Sequence, residues 1–127
     1  MKKQIRDIRE FQTRLAEVKE GSLLTDKDNS SGLLSRKRLM QEELDELMEA
    51  LESRDRAECV KEGVDLLYVV FGTFQEAGIL DDVEYAWDLV HTNNMTKLGP
   101  DGKVIKDKFG KVMKPEGFQK LNLKDYF

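Results

Sequence analysis

Apolar residues recur at helical spacing over most of this chain and set the expected fold before any chemistry enters. Between about Lys3 and Lys19, the residues Ile5, Ile8, Phe11, Leu15 and Val18 share one stripe, which predicts an amphipathic helix. Gly21 to Gly32 is rich in Ser, Asp, Asn and Gly and reads as a loop. Ser35 is then the expected N-cap of a second helix running to about Ser53. A third helix starts near Asp55 and stops at Gly78, a glycine placed to end it. From Val64 to Phe74 that helix is apolar nearly all round, so its own bundle and a partner subunit are both expected to cover it. The fourth helix opens at Asp81, with Glu84 completing a capping box and Leu80 and Tyr85 in staple positions. Val83, Ala86, Trp87 and Val90 form its expected buried stripe.

Past Gly99-Pro100 the pattern changes. Lys103 to Lys106 and Lys111 to Lys114 flank Asp107-Lys108-Phe109-Gly110, the arrangement of a short hairpin. The predicted fold class is therefore all-α. A bundle of about four helices over residues 1–97 is followed by an extension over residues 98–127 that carries a short β-hairpin, the whole forming a single domain.

Charge sharpens this picture. The 127 residues are 39% hydrophobic and 36% charged, which leaves a modest core and makes a homodimer or higher homo-oligomer plausible. The net charge of −4 argues against a general nucleic-acid binder. Its distribution is uneven: Gln41 to Leu66 holds ten acids against three bases, whereas Leu98 to Phe127 holds seven lysines against four acids. Such a chain suits a metal-binding centre beside a phosphate-binding one. The single Cys59 excludes an internal disulfide framework, and no zinc-ligand spacing occurs. No apolar run is long enough for a membrane span and the N-terminus shows no signal-peptide pattern, so a cytoplasmic protein is expected.

Within the acidic stretch, two pairs carry the chemistry. Glu43 and Glu46 on the second helix, and Glu62 and Asp65 on the third, are each spaced i, i+3 and so project from one side of their helix. With each residue turning about 100°, Leu39, Met40, Leu44, Leu47, Ala50 and Leu51 fill one arc, and Glu43 interrupts it. Glu46 lies at the edge of the arc and Glu42 just outside. Antiparallel packing of the two helices would bring the four carboxylates together, at a cost that divalent cations relieve. An oxygen-only donor set selects a hard ion such as Mg²⁺. Other metal sites fail on spacing. Asp26, Asp28 and Ser30 imitate the start of a calcium loop, but Ser31 and Lys37 stand where its Gly and Glu belong. No histidine completes the Glu-x-x-His motif of a di-iron bundle.

The run Glu42-Glu43-x-x-Glu46, followed by Glu62-x-x-Asp65-Leu-Leu-Tyr-Val-Val, resembles the MazG-like all-α nucleoside triphosphate pyrophosphohydrolases over about half the chain. The segment Val90 to Lys97 with the Gly- and Lys-rich stretch after it also looks like a branch of that superfamily. The resemblance implies that Glu43, Glu46, Glu62 and Asp65 hold Mg²⁺, two or more ions, with Mn²⁺ a possible substitute. It implies that Glu42 orients or deprotonates the attacking water, or helps bind a further ion. Asn94 and Lys97 resemble positions that reach phosphate or sugar, although a helix end and a solvated lysine explain them as well. The implied reaction cleaves a nucleoside triphosphate between its α- and β-phosphates. A phosphoribosylated nucleotide is a related substrate, and the rival from another class is a non-catalytic helical dimer that binds a protein or nucleotide. Arg36 and Arg38 are open to pairing with the acids, with phosphates or with solvent. Phe11, Tyr68, Phe71 and Trp87 are the aromatic candidates for a base surface.

Overall fold

The computed structural model describes residues 1–127. Its helices are α1 (Lys2–Arg14), α2 (Ser22–Thr25), α3 (Ser30–Ser53), α4 (Arg56–Ala77) and α5 (Leu80–Met95), followed by a 3-10 turn at Leu123–Asp125. The chain divides into two compact units, Met1–Asp81 and Asp82–Phe127. No single helix is long and apolar enough to cross a membrane.

In the first unit, α3 and α4 form an antiparallel helical hairpin across a two-residue link. Arg54 takes a left-handed conformation (φ 61°) to end α3. Asp55 then caps α4, its Oδ1 accepting from the amides of Ala57 at 2.9 Å and Glu58 at 3.2 Å. Replacing Asp55 by Ala is expected to cost about 1 kcal/mol, read as a lower urea midpoint with unchanged m. α4 ends at Gly78, as its sequence predicts. The amides of Gly78 and Ile79 bond back to the carbonyls of Gln75 and Phe74, and Gly78 sits at φ 75°. The position is doubly restricted, because a Cβ there would stand 2.9 Å from the backbone of Gly21.

The bounds elsewhere differ from those the pattern predicts, each for a local reason. α1 stops at Arg14, where the amides of Leu15 and Ala16 both turn to the carbonyl of Phe11. The expected loop contains α2, and α3 begins at Ser30, not after Ser35, because Asn29 caps it by accepting from the Gly32 amide at 3.0 Å. α5 begins at Leu80, which is buried against Ile5 and Ile8 with Phe71 and Phe74 packed around them. It therefore does not staple to Tyr85, which is exposed and lies with its ring 6.1 Å from that of Phe127.

The core is small. Ile5, Ile8, Ala50 and Leu80 are its buried apolar members; of the expected α3 arc, Leu39, Met40 and Leu47 are half-buried while Leu44 and Leu51 are exposed. Leu44, Met48 and Leu51 on α3, and Val60, Val64 and Leu67 on α4, each recur at i, i+4, i+7 and are exposed. Of the stripe expected on α5, Val83 and Ala86 are half-buried whereas Trp87 and Val90 are exposed.

The expected C-terminal hairpin does not form. The chain does reverse at Asp107–Gly110, but its pairing is one isolated antiparallel bridge between Lys106 and Val112. Asp107 Oδ1 accepts from the amides of Phe109 at 2.8 Å and Lys111 at 2.9 Å, and backbone bonds from Asp107 to the Lys111 carbonyl and from Met113 to the Ile105 carbonyl join the arms only next to the turn. With Val104, Ile105 and Met113 exposed, the two arms have no apolar surface to hold them as strands.

Candidate active site

Antiparallel packing of α3 on α4 brings Glu43 opposite Glu62 and Asp65. Carboxylate oxygens of these three residues lie within 4.8 Å of one another. Glu62 is buried and Glu43 and Asp65 are half-buried. Glu43 Oε2 and Glu62 Oε2 are both shut off from solvent without any hydrogen-bond donor. Buried carboxylate oxygens are rarely left so. A cation on that side of the cluster would supply what both atoms lack, and the all-oxygen donor set would suit a hard divalent ion.

Glu46, one turn along α3, is exposed and stands outside the tight group, yet it is electrically part of it. Hydrogen bonding to the Glu62 carboxylate, and next the charge of Glu43, hold its carboxyl above the ordinary range. Glu42 faces solvent beside the cluster in sequence.

Lys61, which the sequence pattern does not single out, is the cation already present. Its Nζ lies 2.8 Å from Asp65 Oδ2 and 3.3 Å from Glu62 Oε1. The hydrogen bond to Asp65, and then that to Glu62, hold the ammonium above its ordinary range. The i, i+4 spacing to Asp65 was the available signal.

Arg36 is not a ligand of these acids. It is buried two turns away, where its Nε donates to Glu76 Oε2 at 2.5 Å. Gln12 on α1 donates to the carbonyl of Gly72 at 3.0 Å in the same layer. A Cβ at Gly72 would stand 3.0 Å from both Arg36 Nη1 and Gln12 Nε2, so the space beside this glycine is what admits the two side chains. The pairing of residue 36 with 76, and of 43 with 62 and 65, fixes the antiparallel register.

Among the aromatic candidates, Phe71 packs on the core. Phe11 and Tyr68 meet edge to face at 5.3 Å and line a groove of about 590 Å³ with Asp7, Glu10 and Arg14. Asn94 and Lys97 lie in the second unit, at and just beyond the end of α5, and line one cavity there. Asn93, not Asn94, ties this end of the helix down by donating to the carbonyl of Gln119 at 2.8 Å.

An all-helical unit in which two helices present clustered carboxylates is consistent with a MazG-like all-α pyrophosphohydrolase, and the sequence profile shows the membership. Residues 8–94 match the sequence profile of the phosphoribosyl-ATP pyrophosphohydrolase family, and the chain belongs to that family. It is a hydrolase of phosphoric anhydride bonds in nucleotide-like substrates. The curated proteins include no significant match to the chain.

Proposed function

We propose that this protein is a Mg²⁺-dependent nucleoside triphosphate pyrophosphohydrolase that releases a nucleoside monophosphate and pyrophosphate. The observation that carries the reading is the pair of buried, donor-less oxygens on Glu43 and Glu62 beside Asp65. Glu43, Glu62 and Asp65 would hold the ion, with Glu46, one turn along α3, beside them. Bound there, Mg²⁺ neutralises triphosphate charge and acidifies a water; Mn²⁺ has the same preference for oxygen donors. Glu42, exposed at the rim, takes the proton of the attacking water. Asn94 and Lys97 offer a carboxamide and an ammonium to sugar and phosphate. The exposed apolar stripes on α3 and α4 support a homodimer formed through them. The role that goes with this activity is nucleotide-pool clearance, in the cytoplasm.

Product-resolved hydrolysis across canonical and modified NTPs, dNTPs and phosphoribosyl-ATP tests the reading. Monophosphate plus pyrophosphate from a nucleoside triphosphate is the expected result. Phosphoribosyl-ATP as the sole substrate would replace the proposed substrate and keep the site, while no turnover on any of them would overturn the reading.

Lys61 competes with the ion for Asp65 and Glu62. Exposed ion pairs are individually weak, so this competition is modest. Lys61→Met should therefore tighten Mn²⁺ binding by about three- to tenfold in calorimetric titration. Unchanged affinity would show that the lysine leaves the carboxylates at no cost.

A further inference from the structure

An ammonium group meets the three converging carboxylates of α3 and α4 and divides their oxygens into two sets. Glu62 is 9% exposed, and its two oxygens have different surroundings. Its Oε2 is shut off from solvent with no donor, as is Glu43 Oε2. Its Oε1 instead lies 3.3 Å from Lys61 Nζ, which also stands 2.8 Å from Asp65 Oδ2. The Lys61 side chain is 64% exposed, so the ammonium covers the open side of the cluster and leaves the enclosed oxygens bare.

Lys61, Glu62 and Asp65 all belong to α4, and the i, i+4 spacing sets Lys61 directly below Asp65 on the helix. Each exposed contact is weak by itself, but one ammonium makes both and never leaves the molecule. A tethered group acts at an effective concentration of about 1 mM or more, whereas a second ion must come from solution. Such an ion would find Glu62 Oε1 and Asp65 Oδ2 already bridged. Mg²⁺ gives up its waters reluctantly and demands near-octahedral geometry, so two contested oxygens are a poor site for it. The enclosed oxygens of Glu43 and Glu62 have no such rival. Charge points the same way in the substrate-free protein. Three ionised carboxylates and one ammonium leave two negative charges, which one divalent ion neutralises. A second ion would leave an excess of two positive charges, and the exposed Glu46 outside the tight group offsets only half of that.

We propose that Lys61 occupies the place of a second cation, so that each chain binds one divalent ion where the resemblance to the MazG-like enzymes implies two or more. This rests on the metal reading above and changes the number of ions in it. The ammonium is a compact point charge suited to phosphate oxygens. Substrate would therefore meet one divalent ion and one lysine in place of a two-metal clamp.

The test counts the Mn²⁺ ions bound per chain by the full-length protein without substrate, at free Mn²⁺ up to about 1 mM, the scale on which a tethered group competes. Calorimetric titration gives the number, and electron paramagnetic resonance shows whether the ions are neighbours. Wild type is expected to bind one ion, with the spectrum of isolated Mn²⁺. Lys61→Met and Lys61→Gln, both changes at an exposed position, should each bind two, with spectra broadened by coupling between the ions. Lys61→Arg keeps the charge and should remain at one. Circular dichroism should be unchanged in all three. Two ions on wild type, or one ion on both uncharged variants, would overturn the assignment of Lys61 and leave the metal site standing. No ion on any of these proteins would sink the metal reading itself.

Discussion

Glu43→Gln and Asp65→Asn should each lower turnover by about a thousandfold or more without unfolding the protein. A bound divalent ion contributes several kcal/mol to the stabilisation of a transition state, and each 1.36 kcal/mol is about a tenfold change in rate. Losing one of three converging carboxylates removes a large share of that contribution. The fold should survive for a specific reason. Glu43 Oε2 is buried with no donor, so its negative charge is a burden to the metal-free protein. An isosteric amide relieves it, and the metal-free melting temperature of Glu43→Gln should be equal to or above that of wild type. Asp65→Asn gives up the 2.8 Å bridge to Lys61, an exposed and therefore weak contact. In both variants the rise in melting temperature on adding Mg²⁺ should shrink or vanish, because binding to the native state stabilises it only through the sites that remain. Turnover within threefold of wild type would remove these residues from the site.

Arg36→Ala is expected to be the most damaging single change to stability, at about 3–5 kcal/mol, the range for stranding one partner of a buried ion pair. Glu76 is 8% exposed and its carboxylate is held by the Arg36 guanidinium, so truncation leaves a buried charge unpaired. The loss also opens a hole beside Gly72, where the guanidinium packs near Gln12. Replacing both partners by apolar residues, Arg36→Met with Glu76→Leu, should recover most of the stability, since the desolvation cost disappears with the charges. Urea unfolding at one fixed protein concentration makes the comparison, because an oligomer adds mass action to any midpoint. A loss below about 1 kcal/mol, the value of an exposed pair, would mean that water reaches the bridge.

These two predictions rest on features of unequal visibility in the sequence. The acidic cluster was legible because both of its pairs are local: i, i+3 spacing needs only a helix, and Glu43 breaks an apolar arc. The Arg36–Glu76 bridge joins residues 40 positions apart, and each alone looks like an ordinary surface charge. Only the register of α3 on α4 reveals it. Lys61 was missed because acids, not the base next to them, drew the eye to a metal site. The start of α3 was misplaced because Asn29 lies in a run of loop-forming residues, where a cap and a turn have the same composition. The hairpin failed for a related reason. Alternation around a four-residue loop is compatible with strands, but the Asp107 carboxylate claims the amides of Phe109 and Lys111 and leaves one bridge. The apolar faces of α3 and α4 are periodic as expected, and each is partly open in this chain, the α4 face being one that a partner subunit was also expected to cover. Periodicity reports that a face is apolar and says nothing about which molecule covers it.

The central claim is that the carboxylates of α3 and α4 hold a divalent ion used to cleave a nucleotide between its α- and β-phosphates. The most direct test follows the products from one responsive nucleotide, for wild type and Glu43→Gln, each in Mg²⁺ and in EDTA. The account predicts monophosphate and pyrophosphate in equal amounts from wild type in Mg²⁺, with at least a hundredfold less in the other three reactions. Undiminished product formation in EDTA, or from Glu43→Gln in Mg²⁺, would contradict it.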